Sequence, residues 1–269
     1  MSTVSIVIPT LNEAEGITGV IRSIPREQLE KAGYTTDVVV IDGRSTDDTV
    51  ELARDAGARV IMDDRIGKGM AIEAAFKKVR ADYLIMMDGD NTYPAEHIPS
   101  FLEALQHYDV VMGSRLTGRI DKGAITTTNL LGNFMLTGLA NVLYGSRISD
   151  LCTGFWGFRG YVTEHIQIYA AGFDLEANIF SECIRQGFTI GEVPVHYRVR
   201  TDSSKLKPAD GLLIAESLIV NAGGYLRVAQ YRWLKKMYEH DLISGKNLYR
   251  RNIRMGEALS VKMRSGKKK

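Results

Sequence analysis

The stretch YLIMMDGDNTYP, residues 83–94, drives an apolar run straight into two aspartates separated by one glycine. A central strand is apolar because both of its faces are covered, and two carboxylates that close repel unless something positive lies between them. A metal ion bound by Asp88 and Asp90 is one such partner. A plain turn is another, because Asp, Gly, Asn and Pro all favour turns. The elements that carry these residues help to decide between the two.

Apolar runs alternate with helical patterns through the first half of the chain. Strands are expected at 4–9, 37–42, 59–63, 83–88 and 109–115, with helices at 12–24, 46–56, 69–79 and 95–107. Buried strands alternating with helices of that length predict an α/β fold with a mostly parallel central sheet covered by helices. Ser45 followed by Asp48 reads as a capping box opening the second helix. The polar residues then fall into a pattern: Asn12 and Glu13, Asp42, Asp63 and Asp64, Asp88 and Asp90, and Arg115 each follow the C-terminal end of an expected strand. In open α/β sheets that edge is where ligands bind.

Beyond Arg115 the rhythm changes. Residues 116–129 are polar with no clear period and read as a functional loop. The helix expected over 130–144 is apolar except for Asn133, Thr137 and Asn141 at intervals of four, so one narrow polar stripe runs along it. Such a helix is buried or touches lipid. A helix near 173–186, a strand at 190–200, a loop at 201–208 and a helical, increasingly basic segment from 211 complete the pattern.

With 269 residues, 45% hydrophobic and 25% charged, the composition is that of a globular chain with room for one large domain and an appendage. Domain limits are expected at 1–210 and 211–269. Net charge is only +2, yet residues 231–269 hold twelve Lys/Arg against three Asp/Glu, a net +9 facing a net −7 elsewhere. A basic end of this kind is a solvated terminus, a nucleic-acid contact or an anchor to anionic lipid headgroups. No aromatic interleaving or recognised module accompanies it, so no nucleic-acid partner is expected. Cys152 and Cys183 lack a metal-ligand spacing and read as core residues of a reducing compartment, and the five histidines form no ligand spacing either. The N-terminus reads as a first strand rather than an export signal, and no apolar segment suffices to span a bilayer. A cytoplasmic protein is expected.

Taken together, VIPTLNE (7–13), VVVIDGRSTDDT (38–49), GKG (67–69), MDGDNTYP (87–94) and GSR (113–115) resemble the glycosyltransferases of family 2, which have the GT-A fold. SDLCTGF (149–155) and RVRTDSSKL (198–206) narrow the resemblance to the dolichyl-phosphate mannose and glucose synthases, polyprenyl-phosphate glycosyltransferases. It covers residues 3–207. The resemblance implies inverting transfer of a hexose or N-acetylhexosamine from a UDP- or GDP-sugar to dolichyl or another polyprenyl phosphate, supplying lipid-linked sugar for glycosylation.

Within that resemblance Asp88 and Asp90 hold Mg²⁺ or Mn²⁺, whose charge stabilises the leaving diphosphate. Pro9, Asn12, Glu13, Asp42, Lys68 and Gly89 belong with them to the nucleotide site. Arg115, Arg200 and Lys205 match phosphate-contacting positions, and Asp150 matches an aspartate of the sugar and acceptor region. Thr92 stands where relatives often carry a further metal-side Gln, and Phe134 where they often carry a basic residue. Many relatives continue into membrane spans; here contact with an anionic membrane surface is expected to be peripheral, at the cytoplasmic face, through 130–144 and the basic end. Two alternatives stay open: a sugar-hydroxyl acceptor with Asp150 or Glu176 as base, and a nucleotide-binding regulatory protein without turnover.

Overall fold

A computed structural model describes residues 1–63, 67–170, 172, 174–200 and 208–222. In chain order the elements are β1 (Ser2–Thr10), α1 (Ala14–Ser23), α2 (Arg26–Lys31), β2 (Tyr34–Asp42), α3 (Thr49–Asp55), β3 (Arg59–Met62), α4 (Lys68–Lys78) and β4 (Tyr83–Met86). A 3₁₀ turn at Ala95–His97 precedes α5 (Ile98–Ala104), followed by β5 (Val110–Ile120), α6 (Thr127–Tyr144), β6 (Trp156–Arg159), α7 (Gly160–His165), α8 (Leu175–Gln186), β7 (Ile190–Tyr197) and α9 (Pro208–Ala222).

The strands form one seven-stranded sheet in the order β3-β2-β1-β4-β6-β5-β7. All neighbours run parallel except β6, which is antiparallel to both β4 and β5. The central strands are continuously apolar because successive residues feed opposite cores: Val7, Val39, Ile41 and Met86 pack on one face, and Ile6, Ile8, Val38, Val40 and Ile85 on the other. The first face is covered by α4, α6, α7, α8 and α9, the second by α1, α2, α3 and α5. Helix α9 is tied in by Ile214 and Leu218, both buried, and by the Tyr144 hydroxyl, which donates to the Leu218 carbonyl at 2.8 Å.

The mostly parallel α/β sheet is as the periodicity predicts, with five differences of detail. Residues 116–120 are not loop but the outer end of β5, which rejoins β7 beyond an irregularity, with Arg119 opposite His196. Their side chains are largely exposed, so the strand carries no apolar signal there. A Cβ on Gly118 would stand 2.1 Å from the Val195 carbonyl oxygen, so the crossing of these strands requires glycine. Strand β6 and helices α2 and α7 are additions to the expected elements. The Ser45–Asp48 capping box does not form: Asp48 is itself the N-cap of α3 and makes no side-chain cap bond, and the Thr49 amide donates instead to Asp47 Oδ1 at 3.1 Å. Ser45 is withdrawn from capping because its hydroxyl donates to Asp42 Oδ1 at 2.5 Å.

Among the described residues no helix is long and apolar enough to cross a membrane. Asp64, Lys205, the 201–207 loop and the chain after Ala222 lie outside the described residues.

Candidate active site

The first half of the site is a weld between two loops at the C-terminal edge of β1 and β2. Pro9 lies opposite Ile41 and Thr10 opposite Asp42 in the parallel register. Asp42, fully buried, accepts from the Thr10 hydroxyl at 3.1 Å and from the Ser45 amide at 2.9 Å. Asn12, in the left-handed region at φ 55°, donates its amide to Ser45 Oγ at 2.9 Å and accepts from the Thr46 amide at 2.8 Å. The Glu13 amide donates to Thr49 Oγ1 at 2.9 Å and the Ala14 amide to Asp47 Oδ2 at 3.2 Å. Thus Asp42 and Asn12 perform the turn and loop-bracing roles that their residue types favour.

The loop after β4 lies against this weld. A Cβ on Gly89 would meet the Thr10 methyl at 3.2 Å, and one on Gly16 would meet the Gly89 carbonyl at 2.8 Å, so α1 and the aspartate loop approach backbone to backbone. Asp88 and Asp90 therefore stand beside Glu13, as their common strand-edge position implies.

Each aspartate has its own cation. Lys68 Nζ lies 2.7 Å from Asp88 Oδ1 and 2.9 Å from Glu176 Oε1, and Arg200 pairs with Asp90 Oδ2. Lys68 opens α4 behind Gly67, whose φ of 118° demands glycine. Burial works against the Lys68 charge, but Asp88 and Glu176 outweigh it and hold the ammonium above its ordinary pKa. The other oxygen of Asp90 accepts from the Thr92 amide at 3.1 Å and hydroxyl at 2.6 Å, which fixes the carboxylate's orientation. Arg200 Nε is buried with no acceptor among the described residues.

A second ion pair lies nearby on β5. Arg115 donates from Nε and Nη2 to the two oxygens of Asp150, both at 2.7 Å, and its amide adds a third bond at 2.9 Å. Asn133 Nδ2 donates to Asp150 Oδ1 at 2.7 Å, and Asp150 is fully buried. The guanidinium carbon stands 5.2 Å from the centroid of the Tyr197 ring, whose hydroxyl also feels Asp90 and Asp88. Burial first, offset in part by Arg115, pushes the Tyr197 phenol up, so it stays protonated.

The polar stripe of α6 now has its partner. Asn133 holds Asp150, Thr137 Oγ1 accepts from the Leu151 amide at 3.0 Å, and Asn141 binds both the amide and the carbonyl of Ile148. Glu192 grips the same segment from β7 by accepting from the Ser149 amide and hydroxyl, both at 2.9 Å. Opposite the stripe, Leu131, Phe134, Met135 and Val142 are exposed, Phe134 by 71% and Val142 by 83%. Phe134 thus points outward, away from the buried Asn133 edge.

Several participants went unflagged in the sequence. Gly154 presses on Asp88, and the buried Tyr93 receives the Gly154 amide at 2.9 Å. Glu192 carried no motif. Both cysteines are free; Cys183 is buried, and burial pushes the Cys152 thiol up to about 12.

The family description Glycosyl transferase family 2 matches residues 5–167. The chain belongs to glycosyltransferase family 2. Among similar family members, a dolichyl-phosphate hexose transferase of Haloferax volcanii is 36% identical over 219 residues, covering 80% of this chain and 92% of that protein. The low-salt glycan biosynthesis hexosyltransferase Agl6 of the same organism is also 36% identical, over 83% of this chain and 55% of its own length. The chain therefore spans about half the length of that relative. A dolichol-phosphate mannosyltransferase of Pyrococcus furiosus is 27% identical over 76% of this chain and 59% of that one. Among solved structures, the glucosyl-3-phosphoglycerate synthase of Mycobacterium tuberculosis in complex with UDP matches with a TM-score of 0.63 at 22% identity, over 82% of this chain and 79% of that one. The same protein in complex with Mn²⁺, UDP and phosphoglyceric acid matches at 0.62. These likenesses give the family 2 chain its GT-A fold.

Proposed function

We propose that this glycosyltransferase moves a hexose or N-acetylhexosamine, with inversion, from a UDP- or GDP-sugar to a polyprenyl phosphate such as dolichyl phosphate. The product would supply lipid-linked sugar for protein or cell-surface glycosylation. The observation that carries the reading is the convergence of Asp88, Asp90, Lys68, Arg115 and Arg200 at one sheet edge, with Asp150 linking that edge to the outward apolar helix α6. The named Haloferax and Pyrococcus relatives support the same acceptor class.

Asp88 and Asp90 fit a hard divalent cation, Mg²⁺ or Mn²⁺, because both offer carboxylate oxygen, the motif holds no thiolate or imidazole, and the Met87 thioether is buried in the core. No cluster of three Asp, Glu, His or Cys poised around a metal occurs among the described residues, so ligands beyond these two would come from the donor and water. Such a cation neutralises charge building on the diphosphate as the glycosidic bond breaks. Arg200 Nε, buried without an acceptor among the described residues, supports an anionic occupant beside Asp90. Pro9, Asn12, Glu13, Asp42 and Gly89 wall the nucleotide side.

A lipid phosphate is ionised at neutral pH and needs positioning and charge screening rather than a base. Consistent with that, Asp150 is consumed in orienting Arg115 through Nε and Nη2. Glu176 is engaged by Lys68, so neither acid stands out as a base for a hydroxyl acceptor. Lys205 is placed with the phosphate contacts on its motif alone. The apolar face of α6, with the free cysteines, supports peripheral attachment at a cytoplasmic membrane face.

The deciding experiment is a matrix of UDP-glucose, UDP-N-acetylglucosamine and GDP-mannose against polyprenyl phosphate and soluble sugars. Transfer to lipid phosphate is expected. Transfer to soluble sugars alone would overturn the acceptor, and no turnover of any donor would favour a regulatory nucleotide-binding protein.

A further inference from the structure

We propose that Lys68 is an internal counter-cation that competes with the divalent metal for Asp88, and that Glu176 is the positioning residue that sets the strength of that competition. The inference rests on the metal-assisted reading of this site and deepens it.

Asp88 meets Lys68 at Oδ1, the ammonium being shared with a second carboxylate 108 residues away in sequence. The Asp88, Lys68 and Glu176 side chains are 26%, 29% and 14% exposed, so the triad is sheltered from bulk water without being sealed from it. A metal approaching Asp88 meets a positive charge within hydrogen-bond distance of the same oxygen. Repulsion between like charges at that range is strong in a partly desolvated site. The ammonium must give up Asp88, and Glu176 provides the anionic partner to which it can withdraw. With Glu176 present, exchanging the Asp88 contact for a metal leaves Lys68 paired; without it, Lys68 has a single partner and holds it.

The charges explain why such a device suits a transferase. Asp88, Asp90, Glu176 and the neighbouring Glu13 set against Lys68 and Arg200 leave two net negative charges. A divalent cation alone would cancel that charge, whereas the cation together with an anionic diphosphate would restore it. Metal and donor therefore leave the charge of the site unchanged when they bind together, and Lys68, released from Asp88, becomes available to the donor's phosphates. Arg200 screens Asp90 in the same way, and it also feels the Asp88 and Glu13 carboxylates.

The test is Mn²⁺ affinity of the intact protein without nucleotide, read by the electron paramagnetic resonance signal of free aqueous Mn²⁺. Lys68→Met should bind Mn²⁺ about tenfold or more tightly than wild type, since one adjacent charge shifts the affinity of a carboxylate for a cation by roughly that factor. Lys68→Arg, which keeps the charge, should stay within about threefold of wild type, and Glu176→Gln should bind about threefold or more weakly. Circular dichroism and Tm establish that each variant is folded. Lys68→Met binding no more tightly than wild type, or Glu176→Gln binding as tightly, would overturn the competition even if wild type binds Mn²⁺ normally. Absence of Mn²⁺ binding in wild type and every variant, with and without UDP or GDP, would overturn the metal reading itself.

Discussion

Gly154 has no room for a methyl group because Asp88 is in the way: a Cβ there would stand 2.2 Å from Asp88 Oδ2 and 2.9 Å from its Cγ. The obstructing atoms end a short side chain, so Gly154→Ala should fold with Tm within a few degrees of wild type while turning Asp88 aside. Mn²⁺-supported transfer should fall by about 10²-fold, the scale for losing one well-placed electrostatic contact. Assay and thermal melt together check this; full activity would show that Asp88 need not hold its present rotamer.

Asp90→Asn should nearly abolish transfer and leave the Thr92 contacts largely in place, because Asn keeps an acceptor oxygen for the Thr92 amide and hydroxyl. A loss of at least about 10²-fold in kcat is expected. Chelation of wild type with EDTA should do the same, reversibly on adding Mn²⁺. Wild-type rates in EDTA would remove the cation from the chemistry.

Asp150→Asn should act through Arg115. Removing the charge from a buried, bidentate partner leaves an uncompensated guanidinium, which costs about 3–5 kcal/mol of stability, less whatever the amide recovers. The shape of the pH–rate profile should not change, since Asp150 positions a cation and transfers no proton. Loss of the acidic limb with an unchanged Tm would make Asp150 a base after all.

Phe134→Ser and Leu131→Ser lie on the exposed side of α6, where substitutions change stability by roughly 0.5 kcal/mol or less. Co-sedimentation with liposomes should weaken, and activity on a short, water-soluble polyprenyl phosphate should persist. Equal co-sedimentation of the double variant would move the membrane contact elsewhere.

Much of this site is legible in sequence because buried strands that end in acids cannot hide: Ile85, Met86 and Met87 have no exposure, and Asp90 follows three residues later. The polar stripe on α6 is equally legible, since Asn133 and Thr137 interrupt an otherwise apolar helix. Strand β6 escapes because four residues containing Gly157 and Arg159 offer no period, and its direction is set by pairing with two distant strands. The Lys68–Glu176 contact escapes for a related reason: neither residue looks unusual locally, and only the packing of α4 and α8 on one sheet face brings them together. Asp42 is legible in part: its strand-end position can be read from the sequence, whereas its bonds with Thr10 and Ser45 depend on the folded loops.

The reversed direction of β6 has one more effect. Met112 of β5 and Trp156 of β6 stand side by side, and the chain between them runs on beside β7 to Ile120, passes through α6 and returns to the sheet next to where it began. That excursion, with α6 and the 146–155 segment, is a chain closed on neighbouring strands: its two ends are fixed next to each other, and lengthening it adds only slowly to the entropy of closing it. Insertions in the exposed part of this excursion would leave the loops of β1 and β2, on the far side of β4, in their register.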